Sequence, residues 1–267
     1  MKTLKQNIVK AALAGAFVNF AFVFAELACY PELFGSGVRL LLVDSGFRIV
    51  FGTIGLVVLA LFRGGRLKDR FTNPVPKSVW LLLIPVYVYF LSYFLGFGMV
   101  ERASAKNLLP FLAVILQQVT TGLYEETASR GIVMTAFEDR LNDKKMRVLY
   151  VVLSGLIFGL SHCLNFLFGS GGFDLLDTLT TVFCTGMWGI FIAAIYMVSG
   201  NLLLVMGIHA VWDIWIRIPN AFFAFSEQPT ALATAGEVLR TVLDPFVMGI
   251  LGIVIALKYD KLTKKDE

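Results

Sequence analysis

The chain has 267 residues, of which 57% are hydrophobic and only 16% charged, and its mean hydropathy is +0.77, too apolar for a soluble domain of this size. The net charge of +4 is not the footprint of a nucleic-acid binder, because most of the Lys and Arg residues sit in the tails and in short loops between apolar runs. Cys29, Cys163 and Cys184 are too few, and too apolar in setting, for a disulfide framework; they read as small packing side chains.

The apolar runs recur along the whole length. They predict an all-α, polytopic membrane protein of about eight transmembrane helices, folded as one integral-membrane domain. Lys2, Lys5 and Lys10 precede a first run, Ala11–Tyr30, which is longer than the apolar core of a signal peptide and reads as an uncleaved span. An outer loop, Pro31–Ser45, leads to a second span, Arg48–Phe62. A basic loop from Arg63 to Arg70 and the run Pro74-Val75-Pro76-Lys77 lead to a third, Ser78–Met99. The fourth span is Leu108–Phe137, followed by the charged loop Glu138–Arg147. The fifth, Val148–Phe168, contains Gly155-x-x-x-Gly159, a small-xxx-small pattern that lets helix backbones approach closely. The sixth span, Leu175–Val198, turns tightly through Ser199-Gly200-Asn201 into the seventh, Leu202–Ile218. An apolar connection, Pro219–Glu237, precedes the eighth, Leu239–Lys258. Eight spans place both ends on one side. Most of the Lys and Arg residues fall in the tails and loops of that side, so the positive-inside rule assigns it to the cytoplasm.

The fourth span departs from the pattern. Its middle reads Tyr124-Glu125-Glu126-Thr127-Ala128-Ser129-Arg130-Gly131. Each such charge at the bilayer centre costs about 2.5–3.5 kcal/mol on insertion scales, so an intramembrane cluster is by default a functional one. Glu126 and Arg130 are four apart and face each other on a helix. Glu125 points about 100° away and is left to face a cavity. A desolvated carboxylate without a full partner is what a general acid or base requires. The competing structural reading is a buried ion pair that pins two helices, which needs one acid rather than two adjacent ones.

The chain has two histidines, His162 and His209, and both fall inside apolar spans. His162 follows Phe158 by four and His209 precedes Asp213 by four, so each pair shares a helix face. From rough span ends, Glu125 and His209 lie about 12–16 Å from the cytoplasmic ends of their helices and His162 about 20 Å. A single intramembrane histidine is ordinarily a hydrogen-bonded helix contact. Two of them at similar depth to two acids and an arginine point to one pocket. A water between Glu125 and His162 has a base to take its proton, and His209 with Asp213 can stabilise an oxyanion. The same residues admit a metal reading. Glu125, His162 and His209 make a sufficient ligand set for zinc with one position open to water, although the His-Glu-x-x-His signature is absent. Trp188, Trp212 and Trp215 read as packing or interface anchors, and Gly207 as a close-packing position.

The order Glu125-Glu126-x-x-x-Arg130, Phe158-x-x-x-His162, His209-x-x-x-Asp213, with Ser199-Gly200-Asn201-Leu202 ahead of the last, resembles the three-motif pattern of the CPBP family. That family comprises CAAX prenyl endopeptidases and bacteriocin-processing or immunity proteins, also called Abi proteins. The resemblance covers about Leu108–Ile218. It implies a multi-pass protein of the cell membrane whose endopeptidase site opens toward the cytoplasm. Glu125 and His162 would activate water, Glu126 and Arg130 would complete the motif structurally, and His209 with the residue four on would form the oxyanion site. The implied substrate is a peptide or a membrane-tethered protein, in contact with membrane lipids and without nucleic acid. Members are described both as metalloproteases and as metal-free glutamate enzymes. One departure is Asp213, where the third motif commonly ends in Asn. An ionised Asp cannot donate to an oxyanion; it must be protonated, pair with His209 or bind metal.

Two readings from other classes compete. Intramembrane acids and histidines also serve proton-coupled transporters, although no inverted repeat or pair of half-helices is visible here. A non-catalytic immunity or scaffold protein would keep its phenotype without Glu125.

Overall fold

In the computed structural model, which describes residues 2–29, 37–88, 90, 108–163, 175–222 and 231–263, the regular elements are helical and no strand occurs among the described residues. Two long apolar helices open the chain, α1 Lys2–Cys29 and α2 Gly37–Phe62. The short helices α3 Lys68–Thr72 and α4 Lys77–Leu82 follow. Helix α5, Leu108–Glu126, runs directly into a π turn, Thr127–Ile132. Beyond a short 3₁₀ turn, Glu138–Arg140, come α6 Lys144–Ser161, α7 Leu175–Ser199, α8 Leu202–Phe222 and α9 Ala231–Leu262.

Local chemistry explains where these elements stop and start. Helix α2 ends in a Schellman closure: Gly64 and Gly65 take φ of 60° and 83°, and Gly65 N donates to Ala60 O at 2.8 Å. The Asp143 carboxylate caps α6 by accepting from Lys145 N at 2.8 Å. Between α7 and α8, Gly200 adopts φ 62° and donates to Tyr196 O at 2.7 Å. Asn201 then caps α8 by accepting from Leu204 N at 3.0 Å. The Asn201 amide also donates to Asn73 O at 2.7 Å, tying this turn to the α3–α4 connection.

The helices form two groups. Helix α5 packs on α2 and α8, while α7 packs on α6 and α9; α1 and the π turn bridge the groups. Close approach within each group depends on glycine. A Cβ at Gly155 would lie 2.7 Å from Gly186 O, and one at Gly159 2.6 Å from Val182 O, so the small-xxx-small pattern of α6 is the seam to α7. Gly122 lets α5 meet α8 in the same way, a Cβ there lying 2.6 Å from Met206 O. Gly207, expected at a close contact, instead faces open space.

Ion pairs and hydrogen bonds knit one end of the bundle. Arg70 and Arg63 both reach Glu138, at 2.6 and 3.3 Å, and Arg147 reaches Asp260 at 2.9 Å. The Arg63 guanidinium also holds the Asp69 carboxyl below its ordinary pKa through a direct hydrogen bond. Large apolar side chains such as Phe17, Leu61 and Leu176 stand exposed around the outside, the distribution that lipid requires and water penalises.

Three described helices are long and apolar enough to cross a membrane: Leu4–Ala25, Gly37–Phe62 and Leu175–Ser199. The expected span Arg48–Phe62 starts too late. Helix α2 begins at Gly37, inside the loop expected over Pro31–Ser45, because Asp44 and Arg48 pair four apart within it. The far parts of the third and fifth expected spans, at 91–99 and 164–168, lie outside the described residues. So does much of the connection expected over Pro219–Glu237, from 223 to 230.

Candidate active site

The site is built outward from the junction of α5 and the π turn. π turns are rare and favour functional positions because they widen the helix by one residue. This one is held from both sides. The Asn19 side chain of α1 donates to Ser129 Oγ at 3.0 Å, and Ser154 Oγ of α6 donates to Ser129 O at 2.8 Å. Tyr124 Oη donates to Asn19 O at 2.9 Å.

Glu126 and Arg130 are both fully buried and pair at 2.9 Å, as their spacing predicts. The Arg130 guanidinium lies 4.2 Å above the Phe158 ring, with Nη2 3.5 Å from Gly189 O. Phe158 is a shared platform: its ring also meets His162 edge-on at 4.8 Å and His209 at 5.7 Å. A Cβ at Gly189 would lie 3.1 Å from Phe158 and 3.3 Å from Arg130, so only hydrogen fits there without a shift.

His209 joins the two acids. Its Nδ1 donates to Glu126 Oε1 at 2.6 Å, while Nε2 lies 3.4 Å from Glu125 Oε2 and 3.7 Å from Asp213 Oδ2. The pairing of His209 with Glu126 was not expected from sequence. His162 sits at the C-cap of α6 rather than inside a helix, and its Nδ1 lies 2.9 Å from Phe158 O. A carbonyl can only accept, so Nδ1 carries the proton there, and in the neutral tautomer this leaves the lone pair on Nε2.

Between the two helix groups lies a cavity of about 380 Å³, within the range of small-ligand sites. Glu125, His162, His209 and Asp213 all line it, whereas Glu126 and Arg130 stand behind its wall. Trp188 and Trp212, expected as packing anchors, stack on each other at 4.1 Å and form an apolar wall. Arg48, Gln118, Thr121 and Arg217 also line it, and the sequence reading missed them. Arg48 bonds Asp44 at 2.8 Å and Thr121 at 3.0 Å, and approaches Glu125 Oε1 at 4.0 Å. With its oxygen and nitrogen exchanged, the Gln118 amide donates to Asp213 Oδ2 at 2.9 Å and accepts from Arg217 Nε at 3.2 Å. The signal for Arg48 was its four-residue spacing from Asp44 ahead of an apolar run. For Gln118 it was a pair of adjacent amides inside the fourth span.

Glu125, His162 and His209 do not converge as a zinc ligand set. Among the described residues no three His, Cys, Asp or Glu side chains are arranged to hold a metal ion.

Residues 107–215 match the family model described as Type II CAAX prenyl endopeptidase Rce1-like. The match runs through α5 to α8, the helices that carry the three motifs, and it bears out the resemblance to the CPBP family. No curated protein and no solved structure matches the chain.

Proposed function

We propose that this chain is an intramembrane endopeptidase that hydrolyses a peptide bond with a water activated by Glu125 and His162. The observation that carries this reading is one cavity between helix groups that receives Glu125, His162 and His209 from three different helices. The match to a CAAX-type endopeptidase family supports the same reaction class.

The residues divide the work by environment. Glu125 lies on the cavity with only long contacts to Arg48 and His209, so its carboxylate is available to take a proton from water. His162 supplies a second acceptor through Nε2. The hydroxide attacks the scissile carbonyl, and the oxyanion forms beside His209. A doubly protonated His209 donates to Glu126 through Nδ1 and keeps Nε2 for the oxyanion. Glu125 then returns its proton to the leaving amine. Glu126 and Arg130 hold His209 and Phe158 in place from behind. Asp213 and Gln118 shape the polar side of the cavity, and the stacked tryptophans shape its apolar side.

The test is cleavage of a quenched peptide library by purified protein in detergent, with Glu125→Gln and His162→Ala as variants. Each is expected to lower turnover by at least about 10²-fold, the usual worth of general base catalysis. Cleavage at the wild-type rate by Glu125→Gln would remove the mechanism.

A further inference from the structure

The cavity and the basic loops occupy opposite ends of the bundle. One end holds the α2–α3–α4 connection, the Glu138–Arg140 turn, the Asn201 cap and the end of α9. Contacts at Arg70–Glu138, Arg147–Asp260, Asn201–Asn73 and Ser78–Leu262 join them. This end carries the basic runs 63–70 and 140–147 together with Lys258 and Lys261. Helix α1 starts there too, because Gly15 packs on Ala128 and Val133 whereas Phe22, further along, packs on Tyr124.

The cavity lining runs the other way on every helix. On α5 it lies before the π turn, at Gln118, Thr121 and Glu125; on α6 it lies at the C-terminal end, at Phe158 and His162. On α8 it continues past His209 to Ile216 and Arg217, about 24 Å beyond the Asn201 cap at 1.5 Å per residue. Arg217 is exposed at this rim.

The positive-inside rule assigns the basic end to the cytoplasm. We infer that substrate reaches the site from the non-cytoplasmic face, so that the peptide cleaved is one that has been exported or that presents a segment on the outer side of the membrane. This rests on the endopeptidase reading for the reaction, and on geometry and charge alone for the side. It sets aside the cytoplasmic opening implied by the family resemblance, since the termini and the cavity lie at opposite ends.

The test uses the full chain in sealed right-side-out and inverted membrane vesicles, with Cys29 and Cys163 replaced by Ser. Native Cys184, which lines the cavity, and Ile216→Cys at its rim are the reporters; Arg66→Cys, exposed in the basic loop, is the control. A small, membrane-impermeant methanethiosulfonate should modify both reporters in right-side-out vesicles and the control only in inverted ones. Reporters modified only in inverted vesicles, or in neither, overturn the inference. In parallel, an impermeant quenched peptide library should be cleaved several-fold faster by right-side-out than by inverted vesicles, and not by Glu125→Gln. Outside labelling without cleavage in either orientation or in detergent leaves the side of access standing and overturns the endopeptidase reading instead.

Discussion

In the proposed mechanism Glu125 and Glu126, neighbours in sequence, have opposite duties, because a helix turns them about 100° apart. Glu126 has no exposed surface and is held by Arg130 and His209, whereas Glu125 is partly exposed on the cavity. Removing one partner of a buried ion pair costs about 3–5 kcal/mol, because the other charge is left uncompensated. Glu126→Gln should therefore lower the thermal unfolding midpoint in detergent, whereas Glu125→Gln should leave that midpoint in place and lose cleavage. Equal midpoints for the two variants would refute the division. Asp213→Asn should keep cleavage within about tenfold of wild type, since the amide retains the contact with Gln118 and one hydrogen bond is worth ~0.5–1.5 kcal/mol. A complete loss would show that the Asp213 charge itself is required. The Glu126–Arg130 pair was legible because spacing within one helix fixes who faces whom. The His209–Glu126 bond was not, because its partners are 83 positions apart and no local rule brings them together.

At the scale of elements, the seam between α6 and α7 sets where Phe158 lies, and Phe158 carries Arg130 and both histidines. A side chain at Gly155 would press on the backbone of Gly186 and on Ile190, neither of which can swing aside as a flexible side-chain end can. Gly155→Val should cost about 1–3 kcal/mol by overpacking, read as a lower unfolding midpoint, and should slow cleavage by displacing Phe158. Unchanged stability would mean that the helices are free to separate. The glycine spacing announced this seam in the sequence, though not its partner. Nothing in Thr127–Ile132 announces a π turn. Its cause is tertiary, in the hydrogen bonds that Ser129 makes with Asn19 of α1 and Ser154 of α6.

For the whole molecule, composition made a helical membrane protein legible, while the count of spans was not. The helices that build the site give up hydropathy to do so: α5 carries Gln117, Gln118 and both glutamates, and α8 carries His209, Asp213 and Arg217. The same residues decide what the site needs from solution. The carboxylates of Asp44, Glu125, Glu126 and Asp213 are met by the guanidiniums of Arg48 and Arg130, by the His209 ring and, through Gln118, by Arg217. The proposed mechanism therefore uses no divalent cation, and among the described residues the candidate ligands do not gather around one point. Exhaustive chelation of the purified protein should therefore leave both the unfolding midpoint and the rate of peptide cleavage unchanged. Activity lost on chelation and restored by stoichiometric zinc, with the midpoint rising again on addition, would show that the side chains rearrange around a metal and that Glu125 and His162 act as its ligands rather than as bases.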